Sequence, residues 1–253
     1  MEIVGAVLIG AIVGLLLGLI GGGGAVLIVP SMVYILHVDA HVALATALVI
    51  VGVNALIGGV MAWRAGRTHI TTALPFGMAG IVTAYLGARI SRLIPGDILL
   101  IAFSCMLLVI ARVMYQGNNT PQQVATQARP LWHVLLIGAS VGLVTGILGV
   151  GGGFLIVPAM VLLVGLPMSE AVGTSLIVIA INSGASMLGH LDTPLDWSLI
   201  MWLLVGAVPS ILISARISPH ISPKRLRYAF AIFVSVVAVI MLVENAWGRW
   251  MGQ

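Results

Sequence analysis

Apolar residues run through this chain in long blocks, each closed by a short polar or charged stretch. The blocks show neither the two-residue alternation of a half-buried strand nor the one-sided stripe of a surface helix. Runs of about 20 apolar residues are the length that crosses a bilayer as a helix. In the first half, blocks at 41–62, 70–90 and 97–115 predict such helices, after a first block at 3–20. In the second half they fall at 169–190, 197–215 and 228–247, after a first block at 132–148. Two further blocks, 24–36 and 153–165, are shorter. At 1.5 Å per residue they reach only about 20 Å, against a hydrocarbon core of about 30 Å. They predict half-helices. The pattern as a whole predicts an all-α polytopic membrane protein.

The two halves repeat one another. Residues 8–33 read LIGAIVGLLLGLIGGGGAVLIVPSMV, and residues 136–161 read LIGASVGLVTGILGVGGGFLIVPAMV. With a shift of 128, about 21 of 47 positions are identical between 8–54 and 136–182. Apolar composition alone does not align that many glycines and a proline, so the chain reads as a duplication. Repeat 1 is 1–115 and repeat 2 is 132–253, joined by the polar segment 116–131, expected in the cytoplasm. Each repeat has a glycine-broken re-entrant or half-helix hairpin followed by three spanning helices. The hairpin contributes an even number of crossings or a return, so each repeat crosses an odd number of times. Inverted topology follows, with the repeats related by a two-fold axis in the membrane plane.

Composition fits the same picture: 60% of residues are hydrophobic and 7% charged, against about 25% charged in soluble domains. The net charge of +4 lies at the ends of apolar blocks, which argues against nucleic acid as a partner and for loop orientation. With both termini outside, the inner side holds Arg64, Arg67, Arg112, Arg129, Arg216, Lys224, Arg225 and Arg227. The outer side holds Arg89, Arg92 and Arg249, of which Arg89 and Arg92 are the misfit. The N-terminus lacks the basic region of a signal peptide, so its first apolar block is expected to stay in the membrane. The lone Cys105 is expected to be a small buried hydrophobe.

Candidate chemistry concentrates at the glycine breaks. Gly21, Gly22, Gly23 and Gly24, with Gly149, Gly151, Gly152 and Gly153, are poor helix interiors. Broken backbone at membrane depth is tolerated where it is buried in protein or lines a cavity. A helix starting after such a break carries unpartnered N–H groups and a partial positive charge, which suit an anion. These eight glycines are therefore candidate substrate-binding positions, brought together near the midplane by inversion. Gly10, Gly14, Gly18, Gly138, Gly142 and Gly146 follow small-residue spacing and are expected to pack helices. Pro30 and Pro158, inside the short elements, are hinge or kink candidates. Asn54 and Asn182 lie midway along their blocks, with Thr46, Thr174 and Ser175 a turn or two earlier. Polar groups at that depth mark function or helix contacts, so all five join the substrate-binding candidates.

No carboxylate lies centrally in any block, whereas proton pumps and cation carriers usually need one there. His37 and His41 have a chelating spacing but flank Asp39 in a predicted turn, so no metal site is expected. His190 ends a block and is a candidate for coupling to protons. No cofactor or enzymatic motif is evident. The expected function is a secondary transporter or facilitator for a small anion. An anion-selective channel and an intramembrane enzyme are the alternatives.

The stretches GLIGGGGAVLIVP at 18–30 and GILGVGGGFLIVP at 146–158 resemble the paired motifs of the TauE/SafE sulfite-exporter family. The likeness extends to length, duplication and the polar centre. It implies transport of sulfite, sulfoacetate or another organosulfonate across the cell inner membrane. The implied positions are Gly21, Gly23, Gly24 and Pro30, with Gly149, Gly151, Gly152 and Pro158. Ala25 stands where the second copy has Gly153, so the half-sites differ. The expected partners are the anion and the bilayer, with a homo-oligomer left open.

Overall fold

A computed structural model describes residues 2–20, 23–116, 130–148, 152–217 and 221–250. Among these the chain is helical, with no strand. The first half comprises α1 (Glu2–Ile20), α2 (Gly23–Pro30), α3 (Ala40–Arg64), α4 (Ile70–Ser91) and α5 (Gly96–Gln116). The second comprises α6 (Leu131–Leu148), α7 (Gly153–Pro158), α8 (Met168–Gly189), α9 (Trp197–Ile217) and α10 (Pro223–Trp250). Six of them, α3, α4, α5, α6, α8 and α9, are long and apolar enough to cross a membrane. The chain is a multi-pass membrane protein. Most of the central linker lies outside the described residues.

The two short elements are each built in two parts. After Pro30 the helix widens into a π turn over Ser31–Ile35, and after Pro158 into one over Ala159–Val164. In the first, the wider ladder is closed by the Leu36 N–H, which donates to the Ser31 carbonyl at 3.1 Å. Asp39 ends the first element's exit loop and caps α3, accepting from His41 N at 2.9 Å. Gly165 closes the second element in the left-handed region, at φ 90°.

Helices α3 and α8 form the centre. Their buried shares, 61% and 67%, are about twice those of α4 and α9, at 33% each. They run antiparallel: Gly52 meets Ser183, Gly59 meets Ile177, and the would-be Cβ of Gly173 lies 3.1 Å from Ala62. On either side a glycine seam brings two helices together in parallel. Gly10 and Gly14 of α1 lie against the backbone of Leu203 and Ala207 in α9. Gly138, Gly142 and Gly146 of α6 lie against Phe76, Gly80 and Ala84 of α4. A Cβ on Gly146 would meet the Ala84 carbonyl at 2.2 Å. Close approach of backbones is what associates helices in a medium as apolar as their own side chains. Under exchange of halves, α1 on α9 becomes α6 on α4. Tyr115 at the end of α5 meets Tyr228 early in α10, so that outer pair is antiparallel too.

These directions sort the helix ends into two faces. One carries Arg64, Arg67, Glu170 and the end of α9. The other carries Asp39, Arg92 and Asp192, together with the start of α1 and the end of α10. Two expectations change. Arg89 and Arg92 have a partner: Arg92 donates to Asp192 at 2.6 Å, and Arg89 approaches the same carboxylate at 3.7 Å. Cys105 is exposed on α5, not buried. A lipid-facing position is as apolar as a core one, so composition could not separate the two.

Candidate functional site

The glycine breaks themselves, Gly21, Gly22, Gly149 and Gly151, fall outside the described residues. Their flanks are informative. Gly152 sits at φ 76°, a left-handed conformation suited to glycine, immediately before α7. Its carbonyl accepts the first helical bonds, from the N–H groups of Leu155 and Ile156, both at 2.9 Å. Gly24, early in α2, rests on Val13 and Leu17 of α1, so α2 folds back along the helix that precedes it. Gly23 and Gly153 open their helices, and α2 and α7 touch one another.

The flanks lie at opposite ends of α8. Gly18 shares a cavity with Ser169 and Gly173, in α8's first turns. Gly146 faces Gly87, while the neighbouring Ala88 meets Gly189, the last residue of α8. Sixteen residues separate Gly173 from Gly189, or about 24 Å of helix. Helix α1, of 19 residues, runs for about 28 Å, nearly a full bilayer core.

The polar candidates divide by their partners. Thr174 accepts from the backbone N–H of His69 at 3.0 Å and so ties the α3–α4 loop to α8. Ser175 donates to the carbonyl of Val172 at 2.9 Å. Both are satisfied within the protein. Thr46 is fully buried and its hydroxyl has no partner. Asn54 donates to the Ile50 carbonyl at 2.8 Å, leaving its Oδ1 alone. Asn182, also fully buried, has neither amide atom bonded. Leaving such a group unmet costs about 1–3 kcal/mol.

Asn54 and Asn182 each lie within a turn of the α3–α8 crossing but do not meet across it. Asn182 faces Gly80 of α4, whose would-be Cβ falls 2.5 Å from Oδ1. Gly52 and Gly59 face α8. Asn54, two residues past Gly52, is turned about 200° from it, nearer the direction of Gly58, which meets Ile211 of α9 and Leu176 of α8. Each asparagine begins a row at four-residue spacing. On α8 the row is Asn182, Ser186 and His190, all buried. The imidazole Nδ1 of His190 lies 3.1 Å from the Ser186 carbonyl and its Nε2 has no partner. On α3 the row is Asn54, Gly58 and Ala62, and the last two line the cavity beside Gly18.

His190, the first residue past α8, has its pKa lowered by burial. The Ser186 carbonyl opposes that shift, and the nearby charges of Arg92 and His41 add to it. Asp192 is lowered by its hydrogen bond from Arg92. Pro30 and Pro158 are buried at the α-to-π junctions.

Sequence reasoning missed Ser183, Gly80 and Arg67. Ser183 is buried with a lone hydroxyl beside Asn182, and the adjacent polar pair at midspan was the available signal. Gly80 is one of three glycines, with Gly77 and Gly87, spaced along α4. Arg67 was read only as a marker of sidedness.

A sequence profile described as sulfite exporter TauE/SafE matches residues 6–241. A "probable membrane transporter protein" of Xylella fastidiosa is 30% identical over 95% of this chain and 94% of its own length. The "probable membrane transporter protein YjnA" of Bacillus subtilis is 28% identical over 92% and 97%. One from Methanocaldococcus jannaschii is 25% identical over 94% of each chain. No solved structure matches.

Proposed function

Because the chain belongs to the TauE/SafE sulfite-exporter family of membrane transporters, we propose that it is a secondary carrier for a small oxyanion such as sulfite or an organosulfonate. The observation that carries the reading is the set of buried, unpartnered polar atoms on the central helices α3 and α8: Thr46 Oγ1, Asn54 Oδ1, and both amide atoms of Asn182. The Thr46 hydroxyl and the Asn182 amide NH2 can donate to an oxyanion, whereas the two amide oxygens only accept, and no carboxylate stands among them to give a cation its counter-charge. The N-termini of α2 and α7, entered from opposite faces, add partial positive charge at either end of the route. Thr46 and the two asparagines lie between them.

The antiparallel α3–α8 pair and the exchange-related seams support inverted repeats, the usual frame for alternating access. The face holding Arg64, Arg67, Arg112 and Arg216 is read as cytoplasmic, with both termini outside the inner membrane. Moving one anion outward down an inside-negative potential then gains about 2.3 kcal/mol per 100 mV. Export needs no further energy source.

The test is flux of sulfite, sulfonates, sulfate and carboxylates in liposomes holding the purified chain. Saturable flux of an oxyanion is expected, and movement of cations alone overturns the reading. Gly23→Val and Gly151→Val are expected to insert normally and lose anion binding. Normal binding in both variants removes the glycine breaks from the site.

A further inference from the structure

A cavity of about 230 Å³ opens on the lipid-facing side of the central helices. It is lined by Ala55, Gly59 and Trp63 of α3, Ile177 and Ala180 of α8, and Ile70 at the start of α4, among others. We propose that it is a phospholipid site: one acyl chain lies in the groove, and Arg64 at its end holds an anionic headgroup. This site does not depend on the identity of the transported substrate.

The groove has the room and the direction for a chain. A single water needs only about 10–15 Å³, and walls of alanine, glycine and branched aliphatics offer it no partner. Small residues make the space: Ala55, Gly59 and Ala180 withhold the side chains that would fill it. Leu56 and Val60 also line the groove and, with Trp63, are exposed, so one side is open to the bilayer. Ala55 to Trp63 spans eight residues, or about 12 Å of helix. The groove thus runs from just past the middle of α3 to its last turn, as an acyl chain runs from mid-bilayer to its headgroup. Trp63, at that end, is an amphipathic ring of the kind that sits at headgroup level.

Charge decides which lipid. Tails are all as apolar as the groove, so selectivity has to come from the headgroup. Arg64 follows Val60 by four positions and so stands over the same strip of α3. It is exposed, and among the described residues no carboxylate pairs with it. Glu170, on the same face, is engaged by His69. A guanidinium can give two parallel hydrogen bonds to a phosphate. The counterpart positions in the second repeat lack both features: Gly59 corresponds to Met187, and Arg64 to the carboxylate Asp192. The site therefore belongs to one leaflet, the one beside Arg64.

The experiment titrates the purified chain in detergent with dioleoyl phosphatidylglycerol or dioleoyl phosphatidylcholine. Native mass spectrometry reads bound lipid and oligomeric state, and thermal melting reads stability. The wild type is expected to bind the anionic lipid about fivefold more tightly, the worth of about 1 kcal/mol for one arginine near an anionic headgroup. Arg64→Gln should lose that preference and still bind the neutral lipid. Arg216→Gln, on the same face, should keep the preference. Ala180→Trp fills the groove and should lose both lipids there, while its lipid-free melting temperature holds or rises. Leu56→Trp narrows the groove from its open side and decides the point should Ala180→Trp not be recovered folded. No preference in the wild type, an unchanged preference in Arg64→Gln, or undiminished lipid binding in the tryptophan variants overturns the assignment. A wild-type dimer that Ala180→Trp turns into a monomer also overturns it, giving the groove to a second copy of the chain.

Discussion

The rows that leave the two asparagines are equivalent in the repeat and opposite in chemistry. From Asn182 the α8 row passes through Ser186 to His190, filling its space with polar side chains, and ends beside Arg92 and Asp192. From Asn54 the α3 row passes through Gly58 and Ala62, leaves a cavity, and ends at Arg67. Backbone geometry is shared: both rows flank a glycine seam, and both begin at the α3–α8 crossing. The two halves share the contacts that assemble the bundle and differ in the side chains around them. Matched helix contacts therefore carry unlike rows, with Arg92 and Asp192 near the end of one and a small cavity beside the other.

The largest effects should test the shared part. Gly146→Leu drives a side chain into the Ala84 carbonyl, and Gly14→Leu does the same at Ala207, each from a Cβ position 2.2 Å away. Backbone cannot yield as a side chain would. Each variant should lose about 3 kcal/mol or more and fail to give a monodisperse protein in detergent. If one seam tolerates leucine and the other does not, the equivalence of the halves is broken.

Next come the asparagines. Asn182→Leu removes an amide with no partner, so the melting temperature should hold or rise, while oxyanion flux falls at least about tenfold. Asn54→Leu also loses the bond to Ile50, so its melting temperature should fall below that of Asn182→Leu. Full transport by Asn182→Leu would make that residue a helix contact and nothing more.

A smaller effect separates the two row ends by pH. His190 has a folded pKa below its ordinary 6.5. The unfolded chain then binds the proton more readily, so the contribution of neutral His190 is full above 6.5 and is lost as pH falls toward the folded value. Thermal melting of wild type should drop over that window, and His190→Gln should flatten the drop. An unchanged slope would mean that His190 is hydrated. The smallest effect belongs to Asp192→Asn. It releases Arg92 and Arg89 from an exposed carboxylate and should lower the melting temperature only slightly, less so in high salt.

Much of this fold was legible before any coordinates. The duplicated glycine–proline stretches, the short second elements and the small-residue rows on α1 and α6 each left a period or a break in sequence. The site was legible only in part. Asn54 and Asn182 stood out because amides are conspicuous in apolar helices. Thr174 and Ser175 were equally conspicuous, yet their hydroxyls are spent on His69 and Val172. Arg89 and Arg92 looked misplaced because their partner, Asp192, lies a hundred residues away along the chain.

The sequence by itself determined the solvent, the all-helical class and the self-similarity of the two halves. Those follow from the lengths of apolar blocks and from self-similarity, which are properties of one dimension. Tertiary structure alone decided which helices flank the breaks, that Asn182 turns toward α4, and that Arg92 meets Asp192. Burial, facing direction and pairing depend on neighbours from distant segments. In a bilayer the lipid-facing and protein-facing sides of a helix are almost equally apolar, so a sequence written for that solvent carries little record of them.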